Sequence, residues 1–351
     1  MNQFCFLKRK PLLRLWMSFI LFFLSTPLIF AQSKVHKKEV PVSIIFDTDM
    51  GPDYDDVGAI TMLHAMADMG ECRILATIAS NKHPLVAATL SVLNTYFSRP
   101  GIPIGVVRGE AVNIGSSQKW DSLIVANYPH QVKSNNQAED ALNLYRRILS
   151  KQPDNSVTIV TVGFLTNMSN LLQSKADKYS ALDGKALVAK KVKRLVCMAA
   201  RFDDKMGSFT EFNVKEDATA SKFAYDNWPT SILFSGFEIG LYIHTGLPIA
   251  HSHYTHSPVK DVFARSILMD KEDAKGRNSW DETALLVAVR GYNKYYTVAS
   301  GKMICNTDGS NSWDKNGTRD LYLIQKTPVP EMENIINELI MHQPMKAKTG
   351  K

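Results

Sequence analysis

From Val42 onward, short apolar runs alternate with longer stretches whose apolar residues recur at helical spacing. Val42-Ser-Ile-Ile-Phe46 is rich in β-branched and aromatic residues and predicts a strand. Further strands are expected over 73–79, 103–107, 157–162, 192–198 and 231–234. Helices are expected between and after them, over 57–69, 85–96, 138–150, 165–172, 218–226 and 283–289. In 138–150, Leu142, Tyr145 and Leu149 fall on one face. The strand runs are almost unbroken by polar residues, which requires burial on both faces. Such alternation predicts an α/β fold: one domain, 42–351, with a mostly parallel sheet flanked by helices on both faces. Residues 306–319 read as a polar loop, and a last amphipathic helix is expected near 331–341. Neither is assigned any chemistry, and no internal repeat or low-complexity tract divides the chain. In sheets of this kind ligands bind beyond the carboxyl ends of the strands.

The first 31 residues break the pattern. Lys8, Arg9, Lys10 and Arg14 make a basic start, Leu15 to Phe30 is mostly apolar, and Ala31 precedes the polar Gln32-Ser-Lys34. That is the plan of a secretory signal peptide cut after a small residue. The apolar run is short for a spanning helix, which needs about 20 residues. Export to the periplasm or the outside is therefore expected, with 1–31 removed, 32–41 as a polar linker and no stable membrane anchor left. An uncut anchor is the alternative. Cys5 precedes the apolar run and is not placed for lipid attachment.

Composition adds exclusions. The chain has 351 residues, 45% hydrophobic and 21% charged, which is ordinary globular usage. The formal net charge of +7 includes the four positive charges of residues 1–31, where no Asp or Glu stands, so the rest carries only +3. So small an excess gives no argument for a nucleic acid or a membrane surface as partner. The cysteines, at 5, 72, 197 and 305, form no CxxC pair, which excludes a zinc signature and a disulfide framework. Cys72 and Cys197 stand in apolar runs and are expected as buried thiols, one disulfide among the last three being the alternative. Homo-oligomer formation is left open.

The candidate chemistry begins at the end of the first strand. Residues 47–56 read Asp-Thr-Asp-Met-Gly-Pro-Asp-Tyr-Asp-Asp, five carboxylates in ten residues. Like charges so close raise one another's pKa, and a cation relieves them. Hard oxygen donors suit Ca²⁺ or Mg²⁺, whereas zinc and copper favour His and Cys. A Ca²⁺ loop of the helix–loop–helix type is excluded, because it needs Asn or Asp at position 51 and Gly at 52 where Gly51 and Pro52 stand. A solvated acidic turn and an aspartyl phosphatase with Asp47 as nucleophile are the alternatives.

Asp47-Thr-Asp49-Met-Gly51 with Asp55-Asp56-Val-Gly-Ala59 resembles the opening motif of the inosine–uridine preferring nucleoside hydrolase family. The stretch between the two halves is two residues longer than the commonest form. Asn81 after the second strand, Val162-Gly-Phe-Leu-Thr-Asn167, Met198, Glu211-Phe-Asn213 and Ser279-Trp-Asp281 are similar to later segments of that family, so the resemblance spans about 42 to 290. It implies a Rossmann-type nucleoside hydrolase fold and cleavage of the N-glycosidic bond of ribonucleosides, releasing ribose and base. It also implies a bound Ca²⁺ with Asp49, Asp55, Asp56, Asp281 and the Val162 carbonyl as ligands. Asp49 is implied as the base, Asp47 as a support behind it, and Asn81 as a contact to sugar and reacting atoms. Asp55, or alternatively Asp53, is implied for a ribose hydroxyl, and Glu211 and Asn213 for the sugar edge. Met198 stands beside the sugar or serves as core filler, and Asn167 is expected as a helix cap.

Three departures are visible. Ala199-Ala200 replaces a glycine pair, and an Asn that the family places before Glu-Phe-Asn has no equivalent in 206–210. Trp280 stands where well-studied members have the His that assists the leaving base. An indole N–H cannot act as a general acid, so Trp280 is read either as packing or as a stacking surface for the aglycone. Tyr54, His83 and Glu238 are the candidates for a substitute acid. The alternatives to nucleoside hydrolysis are hydrolysis of another riboside with a good leaving group and Ca²⁺-dependent sugar binding without turnover.

Overall fold

The computed structural model describes residues 40–345. The expected signal segment 1–31 and most of the expected linker lie outside the described residues. Among the described residues no helix is long and apolar enough to cross a membrane.

Seven strands run parallel: β1 (Val42–Thr48), β2 (Cys72–Ala79), β3 (Ile104–Val106), β4 (Glu139–Asp140), β5 (Val157–Thr161), β6 (Val192–Met198) and β7 (Ser231–Ser235). Later, β8 (His244–Thr245) and β9 (Arg277–Asn278) form a small antiparallel ladder. Then β10 (Tyr296–Cys305), β11 (Asn311–Asp314) and β12 (Asp320–Gln325) extend the main sheet. Its order is β4-β3-β2-β1-β5-β6-β7-β12-β10-β11. β12 joins β7 in parallel, and β10 pairs antiparallel with both β12 and β11.

The chain winds outward from β1 to β4, then returns to lay β5 on the other side of β1. Strand order therefore reverses between β1 and β5, and a crevice opens outside the carboxyl ends of strands at such a point. Side chains alternate across β1, with Ile44 and Phe46 in one buried cluster and Ile45 in the other. Helices Asp55–Asp68, Trp280–Arg290 and Val329–Ile340 contribute to the first cluster, and Ala141–Ser150 and Thr166–Gln173 to the second. The Asp55–Asp68 helix is buried from Asp55 through Met66, which is why its sequence is apolar on every side.

The expected α/β plan holds, with corrections at element ends. The first helix starts at Asp55, two residues before the expected 57, so the acidic loop ends at Tyr54 and its last two carboxylates form the first helical turn. Carboxylates are favoured there by the unpaired N–H groups. The stretch 306–319, expected as a polar loop, contains β11. β10 and β12 were unread because β10 is half-exposed and carries Ser300, Gly301 and Lys302 in mid-strand. Asn167 does not cap its helix: Leu165 is at the cap position, and the Asn167 amide instead donates to Asp47 Oδ2 (2.9 Å) and the Ala79 carbonyl (3.1 Å). Cys72, Cys197 and Cys305 are buried and free.

Candidate active site

The carboxyl ends of β1, β5 and β6 meet the start of the Trp280–Arg290 helix around a cavity of about 240 Å³. Its lining includes Asp49, Asp53, Asp55, Val162, Met198, Glu211, Asn213, Trp280 and Asp281. These residues come from five separated stretches of sequence. Two roomier hollows, of about 570 and 650 Å³, gather no comparable set of acids, so chemistry rather than volume selects the site.

Asp47 sits behind the cavity. Its Oδ2 accepts from Tyr145 Oη at 2.7 Å and Asn167 Nδ2 at 2.9 Å, while Oδ1 has no partner. Burial pushes its carboxyl up to about 7, against those two bonds. Asp49 follows Thr48, whose hydroxyl donates to Asp56 Oδ1 and accepts from Met50 N at 3.0 Å, closing the turn. Gly163 passes close beneath Asp49: a Cβ there would lie 2.5 Å from both the Asp49 Cβ and its backbone N. Only a residue without a side chain leaves Asp49 in place. Gly163→Ala is expected to shift it and to reduce kcat by about 10²-fold with the fold retained. Steady-state kinetics beside a melting curve checks this; unchanged kcat would show that Asp49 tolerates the shift.

Asn81 is fully buried and does not line the cavity. Its amide donates to the Asp49 carbonyl (2.9 Å) and the Ile114 carbonyl (2.6 Å), and its oxygen accepts from His83 N and Ile114 N. In this arrangement it braces the loop that carries Asp49. Glu211 caps the helix Phe212–Glu216, accepting from Asn213 N (2.9 Å) and Val214 N (3.2 Å), and also from Ala200 N (3.0 Å). Ala200 is at φ +67°, the left-handed conformation that favours glycine. Asn213 Nδ2 donates to the carbonyls of Val162 (3.1 Å) and Met198 (3.3 Å), tying β5 to β6.

Trp280 and Asp281 lie in the first turn of their helix rather than before it. The indole Nε1 donates to the Phe237 carbonyl at 2.8 Å, and its ring packs on Phe237 at 5.0 Å. None of the expected substitute acids lines the cavity. Tyr54 donates to Asp273 (2.5 Å), His83 pairs with Asp121 (3.1 Å), and Glu238 accepts from Phe202 N (3.2 Å).

Sequence reasoning missed Arg277, Phe212 and Phe237, which also line the cavity. Arg277 Nε donates to Asp55 Oδ1 at 3.1 Å and Nη2 to Asp53. It therefore holds both carboxylates that compete for one role. Asp55 is the buried one, whereas the Asp53 side chain is 40% exposed.

The carboxylates crowd one another. The charges of Asp53 and Asp55 bear on Asp56, and that of Asp53 on Asp55. Burial, reinforced by their neighbours' charges, pushes Asp49, Asp56 and Asp281 well above the usual carboxylate range. As the side chains stand, no three His, Cys, Asp or Glu among the described residues are spaced to enclose an ion. The donor set fits a hard cation nonetheless. It is all oxygen, Asp56 Oδ2 is buried with no partner, and abutting carboxylates need either shared protons or a cation between them.

The model of the inosine–uridine preferring nucleoside hydrolases matches residues 44–319. The chain belongs to that family. As a nucleoside hydrolase it is an N-glycosyl hydrolase, and the phosphatase alternative falls. Among solved structures, a plant nucleoside hydrolase superposes with a TM-score of 0.66 at 18% identity, covering 86% of this chain and 99% of its own. The inosine–uridine preferring nucleoside hydrolase of Bacillus anthracis gives 0.63 at 14%, covering 85% and 99%. The purine-preferring ribonucleoside hydrolase of Gardnerella vaginalis gives 0.64 at 14%, covering 85% and 98%. At such identities the likeness is one of fold. No curated protein sequence matches the chain.

Proposed function

We propose that this nucleoside hydrolase is an exported, calcium-dependent enzyme that cleaves ribosides whose aglycone leaves as a stable anion more readily than it cleaves inosine. The observation that carries the reading is the meeting of Asp49, Asp55, Glu211, Asn213 and Asp281 around one cavity, with Trp280 in place of an acid. Asp49, Asp55, Asp56, Asp281 and the Val162 carbonyl would hold the ion. Calcium, when bound, supplies charge that lowers the pKa of water and takes the sugar's hydroxyl oxygens.

The rest is the chain's own work. Asp49 accepts a proton as a water oxygen bonds to the anomeric carbon. The bond from that carbon to the base breaks, and its electron pair leaves with the base nitrogen through an oxocarbenium-like state. Asn213, whose amide is anchored on two carbonyls, presents its oxygen to a ribose hydroxyl. Asp55 accepts from another, and Met198 packs beside the sugar. Asn81 holds the Asp49 loop from behind. Trp280, Phe237 and Phe212 offer flat apolar faces to the aglycone. Trp280 cannot protonate the departing base, so base stability governs the rate.

Protein lacking 1–31, with added Ca²⁺, is expected to release ribose from at least one of a panel of ribonucleosides and from p-nitrophenyl riboside. The aryl riboside should show the higher kcat/KM. No ribose from any member would overturn nucleoside hydrolysis, and binding without release would favour a sugar-binding protein. Equal or higher kcat/KM on inosine would mean that an acid is present. Export rests on the basic start and apolar run of residues 1–31. Full-length protein recovered uncut in the cytoplasm would overturn it.

A further inference from the structure

Resting on that reading, we propose that Arg277 is the group that takes up the negative charge of the departing base, a specificity-determining catalytic residue for oxo-bases and other poor leaving groups. Arg277 lines the same cavity as Trp280, Phe212 and Phe237, the faces offered to the aglycone. Lys and His are missing from that lining, so Arg277 is its one basic side chain.

The geometry around the guanidinium is constrained. Its carbon lies 5.1 Å from the Trp280 ring centre and 5.4 Å from the Tyr54 ring centre, so two aromatic rings hold it. Nε and Nη2 bond Asp55 and Asp53, which fixes the in-plane orientation. Nη1 is the nitrogen left over: it approaches only Asp273 Oδ1, at 3.9 Å, beyond hydrogen-bond range. A guanidinium fixed on one edge with donors left on another is prepared for an acceptor that arrives with the substrate.

The chemistry calls for such an acceptor. When the bond from the anomeric carbon to the base nitrogen breaks, the electron pair goes to the base. In an oxo-base the charge spreads onto a carbonyl oxygen, an acceptor for N–H donors. Arg277 gives up no proton in this step. It stabilises the anion, which solvent then protonates. A fixed donor that meets developing charge is worth about 10²–10³ in rate. A p-nitrophenolate anion, already stable, gains far less.

The test is a leaving-group comparison on the calcium-loaded enzyme. Arg277→Met keeps an apolar stem between the two rings, and Arg277→Lys keeps a charge without the fork. Arg277→Met is expected to lower kcat on inosine or uridine by about 10²-fold and on p-nitrophenyl riboside by less than about tenfold. Arg277→Lys should fall between wild type and Arg277→Met. Added guanidinium should restore part of the inosine rate of Arg277→Met and leave the aryl riboside rate unchanged. An equal loss on all substrates would reduce Arg277 to a positioning residue for Asp55 and overturn the proposal, as would no loss on any. If Arg277→Met does not fold, Arg277→Lys alone decides, by whether its loss is larger on inosine than on the aryl riboside. Wild-type turnover of the aryl riboside keeps a failure here distinct from a failure of riboside hydrolysis.

Discussion

Asp49→Asn is expected to lower kcat by about 10³-fold or more on every riboside the enzyme cleaves, with KM changed by less than about tenfold. Asn has the same shape and keeps an oxygen toward the cavity, so the turn closed by Thr48 and the packing over Gly163 survive. What it loses is the capacity to accept a proton from water. The leaving group is irrelevant to that step, so the loss should be uniform. This separates Asp49 from Arg277, whose effect is graded by aglycone. Ribose release at saturating substrate measures it, with Ca²⁺ binding followed by calorimetry on the same variant. A kcat within tenfold of wild type would move the base elsewhere, with Asp55 the first place to look because it is buried and lines the same cavity.

The sequence was legible where one physical requirement dominates a stretch of chain. β1, β5 and β6 are buried on both faces over most of their length, so their central residues are mostly apolar, and their bounds agree with the expected ones to within two residues. The carboxylate loop was legible for a different reason: five like charges at a strand's end make no sense as packing. β10 to β12 were not legible, because strands at the antiparallel end of the sheet with exposed positions mix polar and apolar residues as a loop does. Arg277 was missed because nothing local marks it. It stands 222 residues from Asp55 in sequence, and only the fold brings the two to 3.1 Å. With five carboxylates in view, the question of which cation other than a metal compensates them would have pointed to an Arg near Asp281. Asn81 shows the converse: its place at a strand end suggested a sugar contact, whereas its four hydrogen bonds are all to backbone groups of the Asp49 loop and its neighbours.

Removing calcium is expected to abolish turnover and to destabilise the protein, and the second effect should grow with pH. Buried acids decide the sign. Asp47 is pushed up to about 7 from 3.8, and Glu211 up to about 7 from 4.5, in both cases chiefly by burial. A carboxyl raised in the folded state binds its proton more tightly there than in the unfolded chain. Its contribution is fully present below the unfolded value and is lost as pH rises through the folded one. The metal-free enzyme should therefore lose stability between about pH 4 and 7, Asp47 alone accounting for about 4 kcal/mol. Asp49, Asp56 and Asp281 are raised further, and their ionisation adds mutual repulsion to the burial term. A divalent cation binds the ionised forms, so at pH 8 it offsets a penalty that at pH 5 is largely removed by protons. At 100-fold excess over its Kd the ion adds about 2.7 kcal/mol, worth a few degrees in Tm for a chain of this size. Melting curves with Ca²⁺ and with chelator, at pH 5 and pH 8, measure the difference directly. The gap between loaded and chelated Tm should widen at pH 8. No gap at either value would mean that the carboxylates are neutralised by one another's protons and by Arg277 and that the cavity holds no ion, whereas an equal gap at both would mean that an ion binds without drawing on the ionisation of these carboxylates.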